Sequence, residues 1–321
     1  MFRNLPQALP AKQLLDQAIR KTKKVHIHDR DKRYEIKKIV IARTELFIEY
    51  LTGQLESYVK EFPSIDKLPL FYQEIIDIKI NTDKLKKALG AIDWSRKTTL
   101  NVYSAQRSSL SKTGNIEFLK QKQKEIYGRI SSIVKQVDQY LVFLADAQRI
   151  LKTFPDLSDV PTAVIAGYPN VGKSSLIRQL SAAKPEIAQY PYTTKQIYVG
   201  HMQRKVRYEQ KMYQIIDTPG LLDRPLAERS KIEQQAIAAL RNLADLIVFV
   251  LDPSETCGYP LIDQQKMLEN IKGIFPDVPF VLTENKCDVK KTMNQHLKIS
   301  CTTGEGIEPL RQEIFSYLDK V

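Results

Sequence analysis

Residues 162–174 read Thr-Ala-Val-Ile-Ala-Gly-Tyr-Pro-Asn-Val-Gly-Lys-Ser, an apolar run followed at once by a Gly-x-x-x-x-Gly-Lys-Ser loop. A buried strand that ends in such a loop and opens into a helix, here Ser174 to Leu180, is the setting a phosphate-binding P-loop requires. Gly167 and Gly172 let backbone N–H groups turn inward around phosphate oxygens, and the following helix N-terminus adds partial positive charge. Lys173 is expected to reach the β- and γ-phosphates, and the Ser174 hydroxyl to ligate Mg²⁺. Tyr168, Pro169, Asn170, Val171 and Ser175 complete the loop and are expected to line the nucleotide. The bland alternative, a Gly-rich turn with a chance lysine, is opposed by the strand–loop–helix context.

Three later motifs select the base. The strand Met212–Ile216 ends in Asp217-Thr218-Pro219-Gly220; an acidic residue at a strand end can hold Mg²⁺, and the Gly220 N–H can contact the γ-phosphate. Alone, this sequence is also a common turn. The strand Pro279–Thr283 leads into Asn285-Lys286-Cys287-Asp288. The Asp288 carboxylate can accept both donors on guanine's Watson–Crick edge, which adenine lacks. Asn285 can support the loop and the base's other edge, and the Lys286 stem can lie along the ring. A site built on such bonds rejects analogues lacking them by roughly 10⁴–10⁵. The end of the short strand 297–301, at Ser300 and Cys301, can place a backbone N–H at the guanine oxygen. Four motifs in this order, each at a strand end, make a GTPase-type site for GTP and GDP.

Between the first two motifs lies Tyr190-Pro191-Tyr192-Thr193-Thr194-Lys195. A threonine here can bind Mg²⁺ and the γ-phosphate when GTP is present, ordering the segment as a switch. Thr194 is favoured over Thr193; a Pro-initiated turn into strand Ile197–Met202 is compatible with either. Lys173, Thr194 and Gly220 are then the groups at the reacting phosphate, and Ser174, Thr194 and Asp217 the metal ligands. A second switch is expected from Leu221 to about Lys231. Ras-like enzymes carry a water-orienting glutamine where this chain has Leu221, so unaided hydrolysis is expected to be slow. Asn170 can help bind K⁺ beside the β- and γ-phosphates, or it can simply stabilise the loop turn.

The 321 residues suggest two domains, here 1–158 and 159–321. Cys257, Cys287 and Cys301 show no metal-ligand spacing and fit a reducing cytoplasm. No apolar run approaches the roughly 18 residues of a membrane span, and no signal-peptide core is present at the N-terminus. Residues 1–160 carry 29 Lys and Arg against 19 Asp and Glu, net +10, whereas the remainder nets +2. Arg20, Lys21, Lys23, Lys24, Arg30, Lys32 and Arg33 face only Asp29 and Asp31 within one short run. Such a stripe is an electrostatic footprint for nucleic acid; a solvated face and an anionic membrane surface are the alternatives.

The basic half reads as helices. Ile126, Ile130, Ile133, Val137, Tyr140 and Leu144 step by fours and threes within 114–151, a coiled-coil-like seam. Ile36, Val40, Phe47, Leu51 and Tyr58 form a similar stripe, and Leu85, Leu89, Ile92 and Leu100 a less regular one. These helices would pack as a bundle. The second half alternates strands, near 162–167, 197–204, 212–217, 246–252, 279–284 and 296–300, with helices, the last at 307–318. That is a mostly parallel α/β sheet with flanking helices. Only seven residues separate Asp288 from His296, so one helix of the usual GTPase layout should be shortened or missing. The fold class is therefore an all-α helical bundle preceding an α/β P-loop GTPase domain.

Three segments go beyond generic nucleotide binding: YPYTTK at 190–195, DTPGLLDRPLAERSKIEQQAIAAL at 217–240 and DPSETCGYPL at 252–261. With them the chain resembles the archaeal form of the nucleolar GTP-binding protein 1 family, an Obg-related branch of the TRAFAC GTPases. The resemblance implies assembly of the large ribosomal subunit, with pre-ribosomal rRNA and proteins as partners and no membrane. It also agrees with a hydrophobic residue at 221. The free chain is expected to be monomeric. The long C-terminal extension of eukaryotic members has no counterpart here, so functions residing in it are not carried over. A signalling GTPase with a protein-binding helical domain remains the alternative, and an RNA-modification enzyme lacks a catalytic cluster to support it.

Overall fold

Continuous apolar strands need cover on both faces, and in a parallel sheet that cover comes from crossover helices. The computed structural model, which describes residues 2–189, 196–206, 209–217, 222 and 231–321, divides into two compact units. The first comprises Met1–Lys67 and Ile80–Lys152, the second Leu68–Lys79 and Thr153–Val321.

The first unit is helical: α1 (Ala11–Thr22), α2 (Lys32–Lys60), α4 (Thr82–Lys112), α5 (Ile116–Gln136) and α6 (Asp138–Leu151), while α3 (Leu70–Ile80) belongs almost wholly to the second. Asp31 and Asn115 cap α2 and α5 by accepting backbone N–H groups of the first turn. Of the expected stripes, Val40, Phe47, Leu51 and Tyr58 are buried on α2, with Ile36 half-buried. On α4 the stripe is corrected. Leu85 and Ile92 are buried, but Leu100 is 40% exposed, and Ala88, Ser95 and Thr99 complete the inward face. Small side chains let helices approach closely, a signal that counting large apolar residues misses. The 114–151 seam is interrupted at Val137, where α5 ends and α6 begins. Asp138 there accepts the Ala11 N–H at 2.7 Å, satisfying the N-terminus of α1, whose Pro10 cap offers no side-chain acceptor.

The second unit carries β1 (Thr162–Ala166), α7 (Lys173–Leu180), β2 (Glu186–Gln189), β3 (Gln196–Val206), β4 (Glu209–Asp217), α8 (Lys231–Leu240), β5 (Leu246–Leu251), α9 (Leu261–Ile274), β6 (Phe280–Glu284), β7 (Leu297–Lys298) and α10 (Ile307–Leu318). The sheet order is β2-β3-β4-β1-β5-β6-β7, with β4 through β7 parallel and β2 and β3 antiparallel. Strands β1 and β5 are buried throughout, and Leu176, Ile177, Leu310 and Ile314 from α7 and α10 pack into the same core. No helix lies between β6 and β7 among the described residues. Accordingly Phe280 and Leu282 on one face of β6 are half-buried, whereas Val281 and Thr283 on the other are buried. In this unit the Tyr72 hydroxyl of α3 donates to Pro155 O at 2.8 Å and accepts the Leu157 N–H at 2.8 Å.

Candidate functional site

Parallel strands bring their carboxyl ends to one edge, and the loops that leave that edge form the site. The loop after β1 is tight. Gly167 has φ +141°, and a Cβ there would lie 2.5 Å from Val250 O; Gly172 has φ +105°, and its Cβ would lie 2.1 Å from Asn285 Nδ2. The glycines are thus required by close neighbours as well as by N–H orientation. Asn170 is exposed with φ +61°, a left-handed conformation that asparagine tolerates. Lys173 is buried, and its Nζ donates to Gly167 O at 2.8 Å and Tyr168 O at 2.7 Å, so the ammonium lies within the curl of the loop.

The pairing of Ile165 with Asp217 sets the end of β4 beside the start of α7. Ser174 Oγ donates to Asp217 Oδ2 at 2.7 Å, and Asp217 is fully buried. A hydroxyl and a carboxylate side by side are the hard oxygen donors that Mg²⁺ takes. Thr193, Thr194, Gly220 and Leu221 lie outside the described residues.

The loop after β6 holds Asn285 and Asp288 in opposite settings. Asn285 is buried; its Nδ2 donates to Val171 O at 2.8 Å and its Oδ1 accepts the Cys301 N–H at 3.1 Å. It is a strut between the phosphate loop and the 300–301 turn, the loop support expected of it, and it holds the Cys301 N–H, one of the backbone donors at the end of that strand. The reason is general: a buried amide must satisfy both ends, and backbone groups are nearest. Ser300 Oγ accepts the Thr302 and Thr303 N–H groups and shapes that turn. Burial pushes the Cys301 thiol up to about 11, so it is protonated at neutral pH. Asp288, by contrast, is exposed and makes no hydrogen bond or ion pair among the described residues.

Two acidic residues escaped the sequence reading. Asp252, fully buried at the end of β5, binds Lys286 Nζ through Oδ2 at 2.6 Å. Burial alone would raise its carboxyl, but the Lys286 ammonium and Ser254 hydroxyl outweigh this and hold it below the ordinary range. The available signal was an apolar strand ending in aspartate, the same pattern that marked Asp217. Glu284, also buried, receives the Thr292 hydroxyl and the Asn294 amide and lies 3.1 Å from His296 Nδ1. It organises the short connection that replaces a helix.

Sheet order, phosphate loop and base loop define a P-loop GTP-binding protein with a helical N-terminal domain. Residues 2–158 match the model of the NOG1 N-terminal helical domain, and residues 231–288 that of nucleolar GTP-binding protein 1. The chain belongs to the nucleolar GTP-binding protein 1 family. An uncharacterized protein of Methanocaldococcus jannaschii is 37% identical over 294 residues, covering 90% of this chain and 81% of its own. Nucleolar GTP-binding protein 1 of Drosophila melanogaster is 32% identical over 90% of this chain, which spans 44% of the fly protein. Among solved structures, the G domain of the T. maritima FeoB iron transporter is 26% identical with a TM-score of 0.39, over 49% of this chain and 98% of its own.

Proposed function

We propose that the chain hydrolyses GTP to GDP and phosphate and uses that cycle to time its docking on precursors of the large ribosomal subunit. One observation supports the docking half most directly. Arg20, Lys21, Lys23, Lys24, Arg30, Lys32 and Arg33 are all exposed, and none has an acidic partner among the described residues. Lys38 takes Asp29, and Asp31 caps α2, so the few nearby acids are engaged elsewhere. Lys21 lies over the Tyr50 ring at 4.2 Å, but cations of this density without acidic partners are available to phosphate, and the nucleolar name of the relatives points to ribosomal RNA.

In the GTPase half, Ser174 and Asp217 would hold Mg²⁺, which would supply positive charge against that developing on the phosphate oxygens. Lys173 presents its ammonium to the same oxygens. Thr194, or its neighbour Thr193, and Gly220 sense the γ-phosphate. With Leu221 unable to orient water, the missing function would fall to a ribosomal partner or to K⁺, which Asn170 would help to hold. The three free thiols suit a reducing cytoplasm.

The test is co-sedimentation of the full chain with large ribosomal subunits and their precursors, in GDP, in a non-hydrolysable GTP analogue and without nucleotide. Nucleotide-dependent association, weakened by neutralising Lys23, Lys24 and Arg33, is expected. Absence of association in every state refutes the ribosomal role and favours a signalling switch.

A further inference from the structure

Lys286 is bound by one carboxylate and followed in sequence by another of opposite character. Asp288, two residues on, is exposed and unpaired among the described residues; Asp252 is fully buried and holds the ammonium at 2.6 Å. We propose that Asp252 is a positioning residue for guanine recognition. By taking the Lys286 ammonium it leaves both oxygens of Asp288 open to guanine's N1–H and 2-amino donors. The proposal rests on the GTP-binding reading above and adds a residue that this reading did not require.

The segment after β5 is built to present this carboxylate. Ser254 N at 3.0 Å, Thr256 Oγ1 at 3.2 Å and Cys257 N at 2.9 Å all donate to Asp252, as does the Ser254 hydroxyl. Glu255 at φ +58° and Gly258 at φ +91° supply the curl that brings these groups round. Gln264, buried on α9, accepts the Asp252 N–H at 2.8 Å and donates to Asp252 O at 3.0 Å and Tyr259 O at 2.9 Å. Lys286 itself has φ +61°, and its Nζ also donates to Thr256 Oγ1 at 2.8 Å. The same loop reaches the phosphate side, where the Tyr259 and Tyr168 rings pack with centroids 4.4 Å apart.

The competition has a clear winner. A buried carboxylate left without its cation is strongly unfavourable, whereas an exposed pair contributes little. The ammonium therefore goes to Asp252. Without that anion, the exposed carboxylate on its own loop is Asp288, since Glu284 is buried and held by Thr292, Asn294 and His296, and an Asp288 engaged by lysine is a poorer acceptor for the base.

The discriminating measurement compares GDP with inosine diphosphate, which lacks the 2-amino donor, on the full chain. Asp252→Asn keeps the volume and an acceptor for Ser254 but loses the charge and the second oxygen, which takes the Cys257 N–H. GDP affinity is expected to fall about tenfold or more, at least the worth of one charge-assisted hydrogen bond, and inosine diphosphate, which makes only the N1–H bond, by a smaller factor. In a Lys286→Met background Asp252→Asn should leave the ratio unaltered, because no ammonium is released. Thr256→Val, which spares the carboxylate, should lower the ratio in the same sense by less, and it carries the test if Asp252→Asn does not fold. Equal weakening of both nucleotides, or the same drop in the Lys286→Met background, would show that Asp252 only holds the loop together. A parent chain that does not prefer GDP at all would instead overturn the GTP-binding reading.

Discussion

Replacing Gly172 by alanine tests whether the phosphate loop and the base loop are one mechanical unit. The new Cβ would sit 2.1 Å from Asn285 Nδ2 at a φ of +105°, so either the loop or Asn285 must move. An L-residue with positive φ costs about 1–2 kcal/mol. Displacing Asn285 breaks its bonds to Val171 O and the Cys301 N–H, each worth about 1 kcal/mol net, and stranding the buried amide costs about 1–3 kcal/mol. Together these give a loss of about 4–7 kcal/mol. At a urea slope of about 2–3 kcal/mol/M the midpoint falls by about 1–3 M. Far-UV circular dichroism would follow the transition. The chain's one tryptophan, Trp94, lies in the first unit, so its emission is an internal control that should shift much less. GDP binding should be lost even where the variant is folded. A midpoint within about 0.3 M of the parent, together with unchanged GDP affinity, would refute the strut.

Other expectations are more compact. Glu284 has its carboxyl held below the ordinary range because the Thr292, Asn294 and His296 bonds outweigh the burial that alone would raise it. A depressed pKa means its stabilisation is complete above about pH 4.5 and fades as pH falls through the folded value. Glu284→Gln should thus lower the melting temperature at pH 7 and make little difference in strong acid; an equal deficit at both would count against the assignment. Substituting Lys23, Lys24 and Arg33 by alanine should reduce the log–log salt slope of RNA binding by roughly 2, at about 0.7–0.9 per phosphate contact, and a parallel displacement with unchanged slope would remove these residues from the interface. Exchanging K⁺ for Na⁺ at constant ionic strength should slow GTP turnover. If the rate is the same in both, Asn170 serves the loop turn alone.

Much of the G domain was legible because its signals are local. The buried runs 162–166 and 246–251, the turn residues after them and the motif order place most of the sheet from sequence alone. β2 was not, since Glu186–Gln189 is a short antiparallel edge without an apolar pattern. Within the site, Lys173, Ser174 and Asp217 follow from spacing, and the structure brings them to one edge. The partners through which Asn285 supports the loop do not, because sequence cannot reveal that 171, 285 and 301 converge. The inward face of α4 was misjudged for a related reason. Ser95 and Thr99 are buried by their neighbours' proximity, which no hydropathy pattern encodes.

The chain leaves its first unit at residue 68, contributes α3 to the second, and returns at residue 80. During synthesis this helix therefore emerges long before its partners at 155–157. It must wait, apolar and unclaimed, until the later segment arrives, and closing that loop is slow relative to local helix formation. A protease cut near residue 158 or an expression boundary placed there would remove Tyr72 from the unit its hydroxyl serves. Fragments starting within 60–68 and retaining α3 should be the shortest C-terminal pieces to keep the Tyr72 contacts.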